Sequence, residues 1–239
     1  MELVFKIYRF DPESDEEAYY RTYTVETRSE ERILDCLNRI KWEQDGTLAY
    51  RMSCAHGVCG SDGMKINGVC ALACQKLVKD YPGSEEIVLE PLPFFRVLKD
   101  LIVDMDDFLA RVDSMHPFLI QDKTPPDTEW LQSPEDHKKM EDVIRCILCA
   151  CCTGACPAMR EAPDYVGPAA LVWAYRRLYD SRDGWFPGRL EELNEPNGVW
   201  PCKNYFECTR VCPKSIPVTR SINFMKREIK KHLSAKDEQ

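Results

Sequence analysis

The sequence predicts an α+β chain in two parts, an N-terminal sheet domain over residues 1–105 and a C-terminal all-α domain over residues 106–239. Three observations predict it. Apolar residues alternate at the period of a strand through the first part, and they recur at helical spacing near the C-terminal end. The 13 cysteines also divide, with one spaced group in the first part and two of a different spacing in the second.

In the first part, Leu3, Phe5 and Ile7 alternate with Val4, Lys6 and Tyr8, which makes a strand, and Tyr20 to Val25 makes a second across a polar turn at Asp11 to Glu17. A helix from about Glu30 to Glu43 follows, with Ile33, Leu34, Leu37 and Ile40 on one face and Cys36 among them as a small core hydrophobe. Asn67-Gly68 between Ile66 and Val69 signals a hairpin. Ile87 to Leu89 adds a strand closed by Pro91 and Pro93.

The second part reads as helices. Pro134 suits a first helical turn, and the helix runs through Glu135 to Ile144. Gly167 to Tyr179 is apolar enough for burial, with Leu171, Tyr175 and Leu178 on one face, and Val218 to Leu233 is basic and amphipathic. Ser181 to Asn197, rich in Gly, Pro and charge, is expected to loop, and Asp113 to Ser133 to serve as a linker or surface loop.

The chemistry lies in the cysteines. Five fall in Cys146-Ile-Leu-Cys149-Ala-Cys151-Cys152-Thr-Gly-Ala-Cys156-Pro157, where Cys146, Cys149, Cys152 and Cys156 have the spacing C-x2-C-x2-C-x3-C-P. That is the spacing of bacterial ferredoxin ligands, in which the fourth thiolate serves a different cluster from the first three. A partner phrase follows, Cys202-Lys-Asn-Tyr205-Phe-Glu-Cys208-Thr-Arg-Val-Cys212-Pro213, with Tyr205 in the second thiolate position. Crossing the two gives Cys146, Cys149, Cys152 and Cys212 to a 4Fe-4S cluster and leaves Cys156, Cys202 and Cys208 for another. A tyrosine is a poor substitute for a soft thiolate. The three-thiolate site therefore most simply holds 3Fe-4S, with an oxygen-ligated four-iron site as the alternative.

Upstream, Cys54-Ala-His-Gly-Val-Cys59-Gly-Ser-Asp62-Gly and Cys74 follow the plant-type 2Fe-2S pattern C-x4-C-x2-C, with Asp62 in the third position. A carboxylate is a competent iron ligand. Cys54, Cys59, Asp62 and Cys74 are the expected set, with Cys70 as the rival to Asp62. Gly57, Gly60 and Gly63 suit a loop that turns its amides toward sulfur. The parts thus read as a plant-type ferredoxin (β-grasp) domain and a bacterial-ferredoxin-like helical domain.

Disulfides are disfavoured, because Met1-Glu2 and the alternating strand offer no basic-then-apolar leader toward an oxidising compartment. Zinc is disfavoured by spacing, since structural zinc uses paired C-x2-C ligands. His56 has no Cys-x2-His partner for a Rieske site and reads as a loop residue, and Cys151 receives no role. A net charge of −8 lacks the basic footprint of a nucleic-acid binder. No apolar run approaches the ~18 residues of a membrane span, so membrane contact would go through a partner. Without a nucleophile constellation, Walker loop or G-x-G-x-x-G fingerprint, the chain reads as an electron wire with no catalytic residue of its own.

At this point the chain closely resembles the iron-sulfur subunit of the succinate dehydrogenase and quinol:fumarate reductase family. The resemblance runs through Ser53-Cys54 to Gly63, Pro91-Leu-Pro93, Leu101-Ile-Val-Asp104, Gly167-Pro-Ala, Asp180-Ser-Arg-Asp183 and Cys212-Pro-Lys214. It implies a partner flavoprotein with covalent FAD, membrane anchor subunits, sometimes with haem, and a place on the cytoplasmic face of a prokaryotic cell membrane. Electrons from succinate would then pass through the 2Fe-2S, 4Fe-4S and 3Fe-4S clusters to a quinone. An aspartate in the third 2Fe-2S position occurs among the family's succinate dehydrogenases and favours succinate oxidation. Quinol:fumarate reduction in reverse, or a soluble polyferredoxin-type carrier, is the alternative.

One departure touches the last step. Ubiquinone-reducing members resemble one another in a Trp pair and a His at positions that are here Arg160, Glu161 and Lys203. Charged groups cannot wall a quinone ring as aromatics do. The expectation is a low-potential quinone such as menaquinone, or a differently placed site, with Pro157, Lys203 and Tyr205 near the last cluster.

Overall fold

The computed structural model describes residues 1–83, 86–121 and 123–237; the last two residues of the expected 106–239 domain lie outside them. The chain divides into two compact units, Met1–Met105 with Ile147–Ala155, and Asp106–Cys146 with the chain from Cys156 onward. It is α+β, as expected, with its main sheet in the first unit and mostly helices in the second.

In the first unit β1 (Glu2–Arg9) pairs antiparallel with β2 (Tyr19–Glu26), where the alternation predicted strands. The helix α1 (Ile33–Arg39) begins three residues later than expected, where the Asp35 carboxylate accepts the Arg32 N–H and fixes the first turn. It continues as a single π-helical turn, Ile40–Gln44. The hairpin strands β3 (Gly63–Ile66) and β4 (Val69–Leu72) turn at Asn67-Gly68, both at positive φ. After β5 (Glu86–Glu90) comes a short separate hairpin, β6 (Val97–Lys99) and β7 (Ile102–Val103).

The main sheet runs β2-β1-β5-β3-β4, with β1 and β5 parallel and the other pairs antiparallel. Phe5, Ile7, Ile66, Ile87 and Leu89 from its strands and Ile33, Leu34, Cys36 and Leu37 from α1 are fully buried. Each large apolar side chain contributes about 1.5 to 3 kcal/mol by leaving water.

The second unit opens with α2 (Asp106–Asp113). α3 covers only Pro134–Lys138, capped by the Ser133 hydroxyl on the Asp136 N–H, and does not reach Ile144 as expected. It buries no residue itself; beyond it the chain continues as turns into a short 3-10 turn at Val143–Arg145, with Met140 and Val143 buried. The short helix α4 (Cys151–Gly154) belongs to the first unit, and α5 (Ala158–Glu161) follows in the second. α6 (Pro168–Leu178) packs on α2, on α7 (Phe186–Asn194) and on α9 (Val218–Asp237), while α8 (Glu207–Arg210) packs on α9.

α7 falls inside Ser181 to Asn197, where a loop was expected. Its Leu190 and Leu193 are buried, and Arg189 forms an ion pair with Asp183 at 2.7 Å. The expected linker after Asp113 is irregular but fastened: Arg189 donates to the His116 and Phe118 carbonyls, and Arg177 donates to that of Pro117.

Candidate cluster sites

Cys54, Cys59 and Asp62 lie in the loop before β3, and Cys74 lies just beyond β4, so the hairpin fixes both ends of this set. The Cys54 sulfur accepts the N–H groups of His56, Val58 and Cys59 at 3.5, 3.4 and 3.3 Å. Those amides pull its thiol down to about 6, into the range of a ready thiolate. Arg32 clamps the loop by donating to the Ala55 carbonyl at 2.9 Å. Gly57 stands at φ +75°, a left-handed conformation that glycine adopts without strain, with the Gln75 side chain packed close against it.

Asp62 is buried. One carboxylate oxygen accepts the Cys74 N–H at 2.6 Å, and the other has no hydrogen-bond partner among the described residues. A buried acceptor left without a donor is costly and suits a position where a cation stands. Burial, then the Asp62 carboxylate, push the Cys74 thiol up to about 12. A bound iron inverts that balance, because a coordinating thiol is deprotonated outright. Cys70, the rival ligand, is buried on β4 and faces α4, where a methyl on Gly154 would touch its sulfur at 3.4 Å. The donor set of Cys54, Cys59, Asp62 and Cys74 fits a 2Fe-2S cluster.

In the second unit, Cys156 precedes α5, Cys208 lies in α8, and Cys202 lies in the loop before it. Their side chains line one cavity together with Lys203, Tyr205, Tyr165 and Thr219. Burial pushes the Cys156 thiol up to about 11 and also raises that of Cys208, whose sulfur lies 3.4 Å from the Thr219 hydroxyl. Lys226 donates to the Cys202 carbonyl at 2.6 Å and fastens the loop to α9. Among the described residues three thiols line this cavity and no fourth does, a donor set that fits a 3Fe-4S cluster.

The two cysteine phrases share a backbone. In the first, Leu148 and Ala150 flank Cys149 at φ +53° and +61°; in the second, Asn204 and Phe206 flank Tyr205 at φ +60° and +63°. Both left-handed pairs lead into a four-residue helix, α4 and α8. Non-glycine residues pay about 1 to 2 kcal/mol for such conformations, and here the payment is made twice in one pattern. Tyr205 therefore stands where Cys149 stands in its own phrase. Its hydroxyl donates to Glu161 at 2.5 Å, and Lys203 pairs with the other oxygen of Glu161 at 2.7 Å. This contact with Glu161, 44 residues from Tyr205, has no signature in the sequence.

The expected 4Fe-4S ligands are divided, Cys149 and Cys152 in the first unit, Cys146 and Cys212 in the second. Cys149 lies against the 2Fe-2S loop, where a Cβ on Gly60 would come within 2.9 Å of its own. The Cys212 sulfur accepts the Ile216 N–H at 3.5 Å. Cys36 and Cys151 are buried. Pro157 opens the turn into α5 and is partly buried. Among the described residues, no three His, Cys, Asp or Glu side chains meet at the spacing of a single metal ion, and no helix is long and apolar enough to cross a membrane.

The family described as a 2Fe-2S iron-sulfur cluster binding domain matches residues 4–110, and that described as a 4Fe-4S dicluster domain matches residues 142–216. The chain is 40% identical over 95% of its length to a succinate dehydrogenase iron-sulfur subunit of Coxiella burnetii, 97% of which is covered. It is 41% identical over 93% of its length to the protein of that name from Paracoccus denitrificans, with 86% covered. In structure it is similar to a chain of the Mycobacterium smegmatis Sdh1 complex in the apo form, with a TM-score of 0.85, 26% identity, and coverage of 97% of this chain and 96% of that one.

Proposed function

Given that the chain belongs to the succinate dehydrogenase iron-sulfur subunit family and serves electron transfer in that complex, we propose that it carries three clusters of graded type. Cys54, Cys59, Asp62 and Cys74 hold 2Fe-2S; Cys146, Cys149, Cys152 and Cys212 hold 4Fe-4S; Cys156, Cys202 and Cys208 hold 3Fe-4S. The domains on this reading are residues 1–105 and 106–239, with the strand of chain at 147–155 folded into the first unit. When bound, the clusters supply one-electron transfer.

The residues do the holding and tuning. Amides around Cys54 stabilise negative charge on sulfur, and Asp62 brings an oxygen ligand to the same loop. In the second unit the buried thiols of Cys156 and Cys208 keep water from the terminal cluster site. The partners on this reading are an FAD flavoprotein that oxidises succinate and membrane anchor subunits, with haem on the latter in some forms. The chain rests on the cytoplasmic face of the membrane through those anchors. Charged Arg160, Glu161 and Lys203 at these positions, with Lys203 paired to Glu161, favour a low-potential quinone such as menaquinone, or a site that does not depend on an aromatic wall here.

The observation that carries the graded set is the shared backbone of the two phrases, with Tyr205 in the place of Cys149. Iron analysis of the purified complex tests it: the reading requires about nine irons per copy of this chain, beyond any haem. A value of about ten, with no three-iron signal, would make the terminal cluster a four-iron one.

A further inference from the structure

Tyr205 occupies the one template position that lacks a thiolate, with its hydroxyl at the far end of the ring, and phenolate oxygen is an iron ligand in some proteins. Something must turn that oxygen elsewhere if the site is to stay three-iron. Glu161 stands at the end of α5, the helix that starts two residues after Cys156. Its Oε1 accepts the Tyr205 hydroxyl at 2.5 Å and its Oε2 accepts the Lys203 ammonium at 2.7 Å. Lys203 and Tyr205 both line the three-cysteine cavity, so one carboxylate fixes two of its walls. Both contacts are solvent-exposed, so they act by fixing direction more than by strength.

We propose that Glu161 is a positioning residue, a latch that draws the Tyr205 hydroxyl out of the cavity and thereby keeps the terminal cluster three-iron. Glu161 does not touch the cluster in this scheme; it acts through Tyr205. Lys203 holds the carboxylate in place from its second oxygen and neutralises it, which lets a charged acceptor sit beside the cluster site. The left-handed residues Asn204 and Phe206 hold the backbone at Tyr205 in the template conformation, so the ring can turn without the loop having to rebuild. The inference rests on the three-iron reading and adds the device that enforces it.

The test uses the whole complex with Glu161→Ala, Tyr205→Phe and the double variant, read by electron paramagnetic resonance of the oxidised state and by iron content. The latch predicts that Glu161→Ala loses most of the three-iron signal and gains iron, because the freed hydroxyl completes a four-iron site. Tyr205→Phe keeps the signal, and the double variant restores it, because phenylalanine has no oxygen to offer. An undiminished signal in Glu161→Ala overturns the latch, and so does a loss that Tyr205→Phe fails to restore. A wild-type complex without the signal overturns the three-iron reading itself, a separate result visible before any variant is made.

Discussion

Leu148-Cys149-Ala150 and Asn204-Tyr205-Phe206 hold the same backbone and differ in what stands at the centre, a thiol in one and a phenol in the other. The first pair of left-handed residues leads into α4 and the second into α8. The conformation costs stability in both, so it reflects a ligand-presenting loop rather than a local preference. The second phrase has the backbone of the first and carries a phenol where the first carries a thiol. Its central side chain was then free to be tied elsewhere, to Glu161.

The largest effect expected is from removing the clusters. Both phrases then hold strained loops with no metal bonds to offset the strain, and the second unit, whose helices α5 and α8 are four residues each, should lose protection from hydrogen exchange around Cys156 and Cys202 to Cys212. The sheet of the first unit should keep its protection, because its core is closed by Phe5, Ile7, Ile66, Ile87 and Leu89. Equal loss across the two units would erase this contrast.

Next is Tyr205→Cys, which makes the two phrases alike. It should add a fourth iron and abolish the oxidised three-iron signal; if the signal persists, the crossed assignment of Cys156, Cys202 and Cys208 is wrong. Smaller effects are expected from Ala150→Val and Phe206→Val, since a β-branched residue is the least tolerant of left-handed backbone. Each should lower thermal stability beyond the strain the present residue already carries, whereas the corresponding glycine variants should relieve that strain. A different price at the two positions would show that the likeness of the phrases stops at their dihedral angles.

The smallest effect separates the sheet unit from both phrases. Glu31, ordinarily at 4.5, is held at about 2 by hydrogen bonds from Arg39 and Thr27. Asp45 is also held well below its ordinary range: burial opposes this, but hydrogen bonds from Thr47, Tyr23 and Arg9 outweigh it. Depressed carboxylates contribute stability that is full above their unfolded values and is lost as the pH falls toward the folded ones. Unfolding of the sheet should therefore grow easier below about pH 4.5, and Arg9→Met should remove only part of that dependence, because Thr47, Tyr23 and Arg21 still reach Asp45 and Glu31 keeps Arg39 and Thr27.

Much of this was legible in the residues. The alternation of Leu3, Phe5 and Ile7 and the Asn67-Gly68 turn each specify a strand or hairpin by local rules, and the structure has β1 and the β3–β4 hairpin there. The α+β class followed from the same patterns. Where local rules competed with tertiary contacts, they failed. Ser181 to Asn197 looked like a loop because Gly184, Pro187 and Gly188 break the pattern, yet α7 forms since Leu190 and Leu193 find a core and Arg189 finds Asp183. Glu135 to Ile144 looked like one helix from its opening proline, yet α3 stops at Lys138 and the chain buries Met140 and Val143 through turns and a 3-10 turn. The cysteine spacing named every candidate ligand in advance. The tie from Tyr205 to Glu161 and the donorless oxygen of Asp62 could not be read, because each depends on residues brought close only by folding.

The central claim is that the two cysteine phrases build unequal clusters on equal backbones. Electron paramagnetic resonance of the purified complex, oxidised and then reduced with dithionite, tests it most directly. The account predicts a three-iron signal in the oxidised state that disappears on reduction, with two further reduced-state signals from the 2Fe-2S and 4Fe-4S sites. An oxidised complex with no three-iron signal and with a full four-iron terminal cluster would contradict it.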